Sequence, residues 1–110
     1  MTSIARTPEP PYFAVIFTSQ RTEGDNGYTA MAEKMVELAA FQPGFIGMES
    51  ARDTLGITIT YWANMEAIRS WSQNAQHKLA RELGYQKWYQ SFKLRVCKVE
   101  RDYDFERSKE

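Results

Sequence analysis

The amino-acid sequence predicts an α+β fold of the ferredoxin-like type, β-α-β-β-α-β, in which a four-stranded antiparallel sheet carries its helices on one face. Three observations predict it. Two stretches of helical periodicity each lie between stretches rich in aromatic and β-branched residues. Pro43-Gly44 separates the first helix from a pair of strands joined by a short turn at Thr54-Leu55-Gly56. At 110 residues the chain is long enough for one hydrophobic core and too short for two.

Residues 1–11 read as an extended lead-in, because Pro8, Pro10 and Pro11 fix φ, lack amide donors and cannot join a central ladder. The domain is assigned to residues 12–103, and residues 104–110 to a polar tail that frays. Tyr12 to Gln20 is a strand with Phe13, Val15 and Phe17 on one face and Tyr12, Ala14 and Ile16 on the other. Both faces are apolar, so both need cover. Arg21 to Gly27 is loop, and Asp25 or Asn26 caps the helix that follows. In that helix Tyr28, Met31, Met35 and Leu38 form one core stripe, with Glu33, Lys34 and Glu37 elsewhere. Phe45 to Asp53 and Ile57 to Trp62 form a hairpin; Ile57, Ile59 and Tyr61 share one face of the second strand, and Thr58, Thr60 and Trp62 the other. Asn64 is the N-cap of the next helix, with Glu66 in its first turn and Met65, Ile68 and Trp71 on one side. Helical character continues or resumes through His77 to about Leu83, where Gly84 ends or bends it. Phe92 to Val99 is the last strand, alternating Phe92, Leu94 and Val96 against Lys93, Arg95 and Cys97.

Composition narrows the function. Fourteen Lys+Arg balance fourteen Asp+Glu, so no net field gathers nucleic acid or an anionic membrane surface, and neither is expected as a partner. No apolar run approaches the ~20 residues that span a bilayer, and MTSIARTPEPP lacks the apolar stretch of a signal peptide, so a cytoplasmic location is expected. With one cysteine, Cys97, and one histidine, His77, the chain has no intrachain disulfide and no Cys/His ligand set for zinc, and no metal is expected. Cys97 reads as a small core residue. The glycines are scattered, and none forms the dinucleotide fingerprint after a strand. One sheet face is left without helices while the strands offer it Tyr12, Ile16 and Trp62, or their alternates. Such a face predicts a two-fold homodimer whose sheets pack together.

Ile57 to Tyr89 gathers all three tryptophans and the only histidine. YFAVIFTS opening the domain, PGFIGMES after the first helix, ITITYWANMEAIRSW leading into the second and WYQSFKLRVCKVER closing it together resemble the antibiotic biosynthesis monooxygenase (ABM) domain family. The resemblance runs from about Tyr12 to Tyr103. It implies a dimeric α+β barrel with an apolar, aromatic pocket between the sheet and the helices of each subunit. It also implies one of two activities. In cofactor-independent oxygenases of polyphenols the substrate's own enolate reacts with oxygen, and the protein binds, deprotonates and excludes water. In haem-degrading members a histidine ligates the iron.

By that resemblance Trp71 holds the position of a tryptophan that walls the pocket, the alternative being a core anchor. His77, with an ordinary pKa of ~6.5, is the general base or a haem ligand, the alternative being a hydrogen-bonded residue on the helix surface. A functional His77 faces the pocket with Ala80, Arg81, Gly84 and Trp88, its neighbours at helical spacing. Gly84, Tyr85, Trp88 and Tyr89 form either an aromatic rim over a flat substrate or simple core closure. Tyr61 joins Arg81, Trp88 and Tyr89 as an expected substrate-binding residue. Arg95 interrupts an apolar strand and either pairs with an acid across a dimer, Glu49 being one candidate, or orients an anionic substrate. Two departures weigh against haem. The family's ligand histidine lies further along the helix, near Arg81, and its first-strand asparagine has no counterpart between Tyr12 and Gln20. The expectation is therefore a cofactor-independent monooxygenase acting on an aromatic or polyketide-like small molecule. The alternatives are a haem-binding, haem-degrading enzyme using His77, or a non-catalytic dimer that binds a small apolar or aromatic ligand.

Overall fold

The computed structural model describes residues 3–107. The elements follow the predicted order: β1 (Tyr12–Arg21), α1 (Tyr28–Ala40), β2 (Phe45–Arg52), β3 (Gly56–Trp62), α2 (Met65–Ser72), α3 (Ala75–Leu83) and β4 (Tyr89–Val99). A single turn of π-helix, Gly84–Trp88, joins α3 to β4. The strands form one sheet in the order β2-β3-β1-β4, with every neighbouring pair antiparallel, as the ferredoxin-like arrangement requires. No described helix is long and apolar enough to cross a membrane.

Side-chain caps decide where α2 and α3 start, while the N-cap of α1 is Gly27 rather than Asp25 or Asn26. Asn64 accepts the Ala67 amide at 2.8 Å and opens α2. Asn74 accepts the amides of Gln76 and His77 at 3.0 and 3.2 Å, so the second helical stretch breaks there and restarts as α3. At α1 the chain turns through Gly27 at φ 85°, and Asp25 accepts the Thr29 amide at 3.2 Å. The Tyr28, Met31, Met35 and Leu38 stripe is half-buried, and Ala39 is the buried residue of α1. Gly84 keeps right-handed helical angles, so it bends the chain and β4 starts at Tyr89, three residues earlier than expected.

Strand register fixes which residues share a face. Phe13 pairs with Trp62 and Ala14 with Tyr61, while Ala14 pairs with Cys97 and Val15 with Val96. One face therefore carries Phe13, Val15, Phe17, Thr58, Thr60, Trp62, Leu94 and Val96, and the other carries Tyr12, Ala14, Ile16, Ile57, Ile59, Tyr61, Arg95 and Cys97. The helices cover the first: Trp62 packs on Trp71 of α2, and Tyr28 of α1 meets Tyr89. The grouping of Trp62 with Tyr12 and Ile16 on the bare face is thus corrected. Trp62 lies one residue out of phase with Tyr61, and alternation sends it under the helices, where it is 0% exposed. β3 is consequently turned round, its apolar side facing away from its own helices and Thr58 and Thr60 facing them. Cys97 is half-buried on the helix-free face rather than in the helix-side core. Glu49 on β2 and Arg95 on β4 lie at opposite edges of the sheet and do not meet within one chain.

The lead-in does not join the ladder, yet it lies across the helix-free face. The Ala5 amide donates to Glu49 Oε2 at 2.9 Å, the Tyr61 hydroxyl donates to Glu49 Oε1 at 2.6 Å, and the Thr7 and Tyr12 hydroxyls both donate to Asp102. A Cβ at position 47 would lie 3.3 Å from the Ala5 Cβ, so Gly47 leaves room for this arm. Beneath it Tyr12 and Ala14 are buried, while Ile57 at the arm-free end of the face stays exposed.

The turn between α1 and β2 depends on one residue. Gly44 has φ +83°, and a Cβ there would come within 2.6 Å of the Ala67 Cβ on α2. Gly44→Ala combines a disfavoured backbone with an overpacked contact and is expected to cost about 2 kcal/mol. Thermal denaturation should show a Tm lower by roughly 10 °C. An unchanged Tm would mean that the turn does not pack on α2.

Candidate functional site

At one end of the helix-covered face four rings form a continuous stack. Phe45 meets Trp62 edge-on at 5.3 Å, and Trp62 stacks on Trp71 at 6.4 Å. Trp71 in turn lies almost parallel to the His77 imidazole, with centroids 4.5 Å apart and 11° between the planes. The break at Asn74 makes this last contact possible, because restarting the helix folds His77 back over Trp71. The buried Trp62 indole donates to Thr60 Oγ1 at 2.9 Å and so leaves no polar group unpaired.

The hydrogen bond of the imidazole sets its chemistry. His77 Nδ1 lies 3.0 Å from the Trp71 carbonyl oxygen. A carbonyl only accepts, so Nδ1 carries the hydrogen, and in the neutral ring Nε2 keeps the lone pair. Burial holds the His77 pKa below its ordinary value; the carbonyl hydrogen bond opposes this and the nearby Arg81 charge assists it. At neutral pH the ring is therefore an uncharged base with a fixed tautomer.

The other end of the same face holds a second aromatic cluster. Phe13 and Phe17 mark the two ends and are four residues apart, about 13 Å along the strand. Trp88 is 4% exposed, donates Nε1–H to the Asn26 carbonyl at 2.9 Å and meets Tyr28 edge-on. Arg21 lies 3.7 Å over the Tyr28 ring and donates to the Trp88 carbonyl at 3.0 Å. Tyr89 packs among Phe17, Tyr28 and Phe92. Burial and the neighbouring Tyr28 phenol push its pKa far up. A Cβ at position 84 would lie 2.9 Å from the Tyr89 ring, so the π turn must present glycine to it.

The expected site residues thus fall into separate places. Trp71 and His77 come together. Trp88 and Tyr89 belong to the opposite cluster, where Trp88 closes the core instead of forming a rim. Arg81 is exposed, while Ala80 is half-buried and Gly84 buried, and the Arg81 charge stands near the His77 ring. Tyr61 lies on the other side of the sheet from His77, edge-on to Tyr12, with its hydroxyl on Glu49.

Between the two clusters the helix-side face of β4 stays open, with Phe92, Leu94 and Val96 at 36%, 51% and 45% exposure. The strip offers an open apolar surface. The helix-side surface of β2 and β3 adds hydroxyls that had not been counted among the site residues: Ser50 and Thr58 are hydrogen-bonded at 2.9 Å, and Thr60 holds the Trp62 indole. The signal for them was present in the Thr58, Thr60, Trp62 alternation.

Comparison with known proteins places this geometry. The family model described as antibiotic biosynthesis monooxygenase matches residues 11–83. The uncharacterized protein YqjZ of Bacillus subtilis (strain 168) is 50% identical over 108 residues, which cover 96% of this chain and 95% of that protein. Among solved structures, SnoaB, a cofactor-independent oxygenase from Streptomyces nogalater, superposes with a TM-score of 0.72 at 10% identity over 84% of this chain and 97% of its own. Rv0793 from Mycobacterium tuberculosis gives the same values, 0.72, 10%, 84% and 97%. At that identity the two structures speak to the fold alone.

Proposed function

Because the chain belongs to the antibiotic biosynthesis monooxygenase family, we propose that it is a cofactor-independent monooxygenase of an aromatic or polyketide-like small molecule and works as a homodimer. The observation that carries this reading is the His77–Trp71 pair: a neutral imidazole, held flat on an indole, with Nδ1 tied to a carbonyl and Nε2 left as the base. SnoaB, described as a cofactor-independent oxygenase, shares the fold and supports it.

In this mechanism the substrate lies along Leu94 and Val96, with Trp71 as a wall, and Nε2 removes an acidic proton from the ring system. Tyr89 frames the far end, Trp88 closing the core there, and Arg81 at the mouth meets a phenolate edge. The carbanion or enolate is electron-rich and passes electrons to molecular oxygen. A CH2 group becomes C=O, one oxygen atom enters the product and the other leaves as water with the two hydrogens. The substrate supplies all four electrons, so no further reductant is needed. The test is oxygen uptake with anthrone: one O2 consumed per anthrone, at a rate well above the spontaneous reaction. No uptake above that background across anthrones and related phenols overturns the proposal.

A second reading, haem binding through His77, rests on the same free Nε2, since a carbonyl-anchored imidazole is oriented for ligation. Trp71 covers the face of the ring but not its in-plane lone pair, so His77 would hold haem iron through Nε2; haem, when bound, would supply iron for oxygen activation. Adding hemin would then give a Soret band that His77→Ala loses. The apolar side of β3, with Ile57 and Ile59 beside Ile16 of β1, is what favours the homodimer. Sedimentation velocity at micromolar concentration should show two chains, and a monomer there contradicts the dimer.

A further inference from the structure

On the helix-free face the strand register lines up one row across all four strands. Glu49 of β2 pairs with Ile59 of β3, Ile59 with Ile16 of β1, and Ile16 with Arg95 of β4. The row thus has an acid at one edge of the sheet, a base at the other and two isoleucines between them. Three strand spacings of ~4.8 Å make it about 14 Å wide. Arg95 is exposed, while Glu49 and both isoleucines are half-buried. Glu49 Oε2 takes the Ala5 amide and Oε1 the Tyr61 hydroxyl, which leaves acceptor capacity on each carboxylate oxygen. In the adjoining row, Ala51, Ile57, Thr18 and Lys93, the β4 edge is again basic.

Two such faces related by a two-fold axis lying between them can meet in two simple ways. An axis across the strands lays β4 over β4, so the Lys93 and Arg95 edge meets its own likeness and the charges repel. An axis along the strands keeps each level and exchanges the edges. Ile59 then lies on Ile16 of the partner subunit, and Glu49 faces Arg95 of the partner subunit, once from each copy. Aligned sheets cross at ~30°, which displaces the ends of the row by about 4 Å, within the reach of an arginine side chain. Both N-terminal arms then lie at one end, by Gly47, and the sheets close at the other, over Ile57, which is 39% exposed in the single chain.

We infer that this face takes a second copy of the chain in that one orientation, with the Glu49–Arg95 pair made at both ends of the row and Ile16 against Ile59 between them. The inference rests on the homodimer reading and adds to it the residues that fix the register. Sedimentation velocity of the full chain at micromolar concentration tests it. Arg95→Glu sets acid against acid at both ends of the row and should weaken self-association roughly tenfold or more; Glu49→Arg sets base against base and should do the same. An equimolar mixture of the two variants restores both pairs and should recover the dimer. Lys98→Glu makes the same charge change on the helix side of β4, where residue 98 pairs with Phe13, and should leave association unchanged. Glu49 also holds Ala5 and Tyr61, so if its variant does not fold, the exposed Arg95→Glu decides alone. A monomeric parent chain overturns the homodimer reading and this inference with it. A dimeric parent whose Arg95→Glu associates as tightly as Lys98→Glu, or whose two folded variants fail to associate with each other, overturns the Glu49–Arg95 register and leaves the homodimer reading standing.

Discussion

Replacing His77 by alanine should lower anthrone-dependent oxygen uptake by roughly 10²- to 10⁴-fold, the usual range for loss of a general base, while near-UV circular dichroism stays that of a folded chain. The imidazole is half-buried and packs on one face of Trp71, so its loss leaves the Trp71 contact with Trp62 in place. The pH profile carries the same signature. Burial holds the His77 pKa below its ordinary value of 6.5, so kcat/KM should rise with pH through a point below 6.5 and be flat at pH 7 to 8. Stability follows with a definite sign. The unfolded chain takes up the proton more readily, so stability is complete above about pH 6.5, falls as pH drops below it, and stops falling once the folded imidazole is also charged. His77→Ala should remove both inflections. A variant that retains the parent rate and its pH dependence would show that another group is the base.

Trp62→Ala should produce the largest loss of stability of any single substitution considered, about 3–5 kcal/mol, the range for deleting a fully buried aromatic side chain. Trp62 is 0% exposed, lies between Phe45 and Trp71, and pairs in register with Phe13 across the two inner strands of the sheet. Its removal opens a cavity under α2 and takes away the surface on which Trp71 rests. Against a total stability of about 5–15 kcal/mol for a small domain, the variant should unfold at much lower urea, and Trp62→Phe should recover part of the loss. Oxygen uptake should fall as well, because the His77–Trp71 pair loses its floor. A shift below about 1 kcal/mol would mean that the stack does not organise this end of the core.

The parts of the fold that were legible in the sequence are those set by local chemistry. Asn64 caps α2 as its position before Met65-Glu66 implied, and the alternation of β1 and β3 placed every residue on one side or the other of its own strand. Alternation alone does not say which side receives the helices. That depends on register between strands, and Trp62 was accordingly put with Tyr12 when it pairs with Phe13. The N-terminal arm was hidden for the same reason, since Ala5 meets Glu49 and Thr7 meets Asp102 across separations of 44 and 95 residues.

For the candidate site, His77 and Trp71 stood out by scarcity and by resemblance, while their contact did not. Six residues apart on a continuous helix they would point to different sides; the cap at Asn74 breaks the helix and brings the rings together. Trp88 and Tyr89 follow closely in sequence but are carried to the far cluster by the π turn. For Tyr61, expected among the substrate-binding residues, register gives a hydrogen bond to Glu49 on the face opposite His77.

The most direct test is conversion of anthrone under oxygen-18 gas, with product and water both analysed, for the parent chain and for His77→Ala. A cofactor-independent monooxygenase that uses His77 gives one labelled atom in the product carbonyl and one in water, formed well above the spontaneous rate by the parent and near that rate by the variant. Unlabelled product, or labelled product formed by both chains at the spontaneous rate, would contradict it.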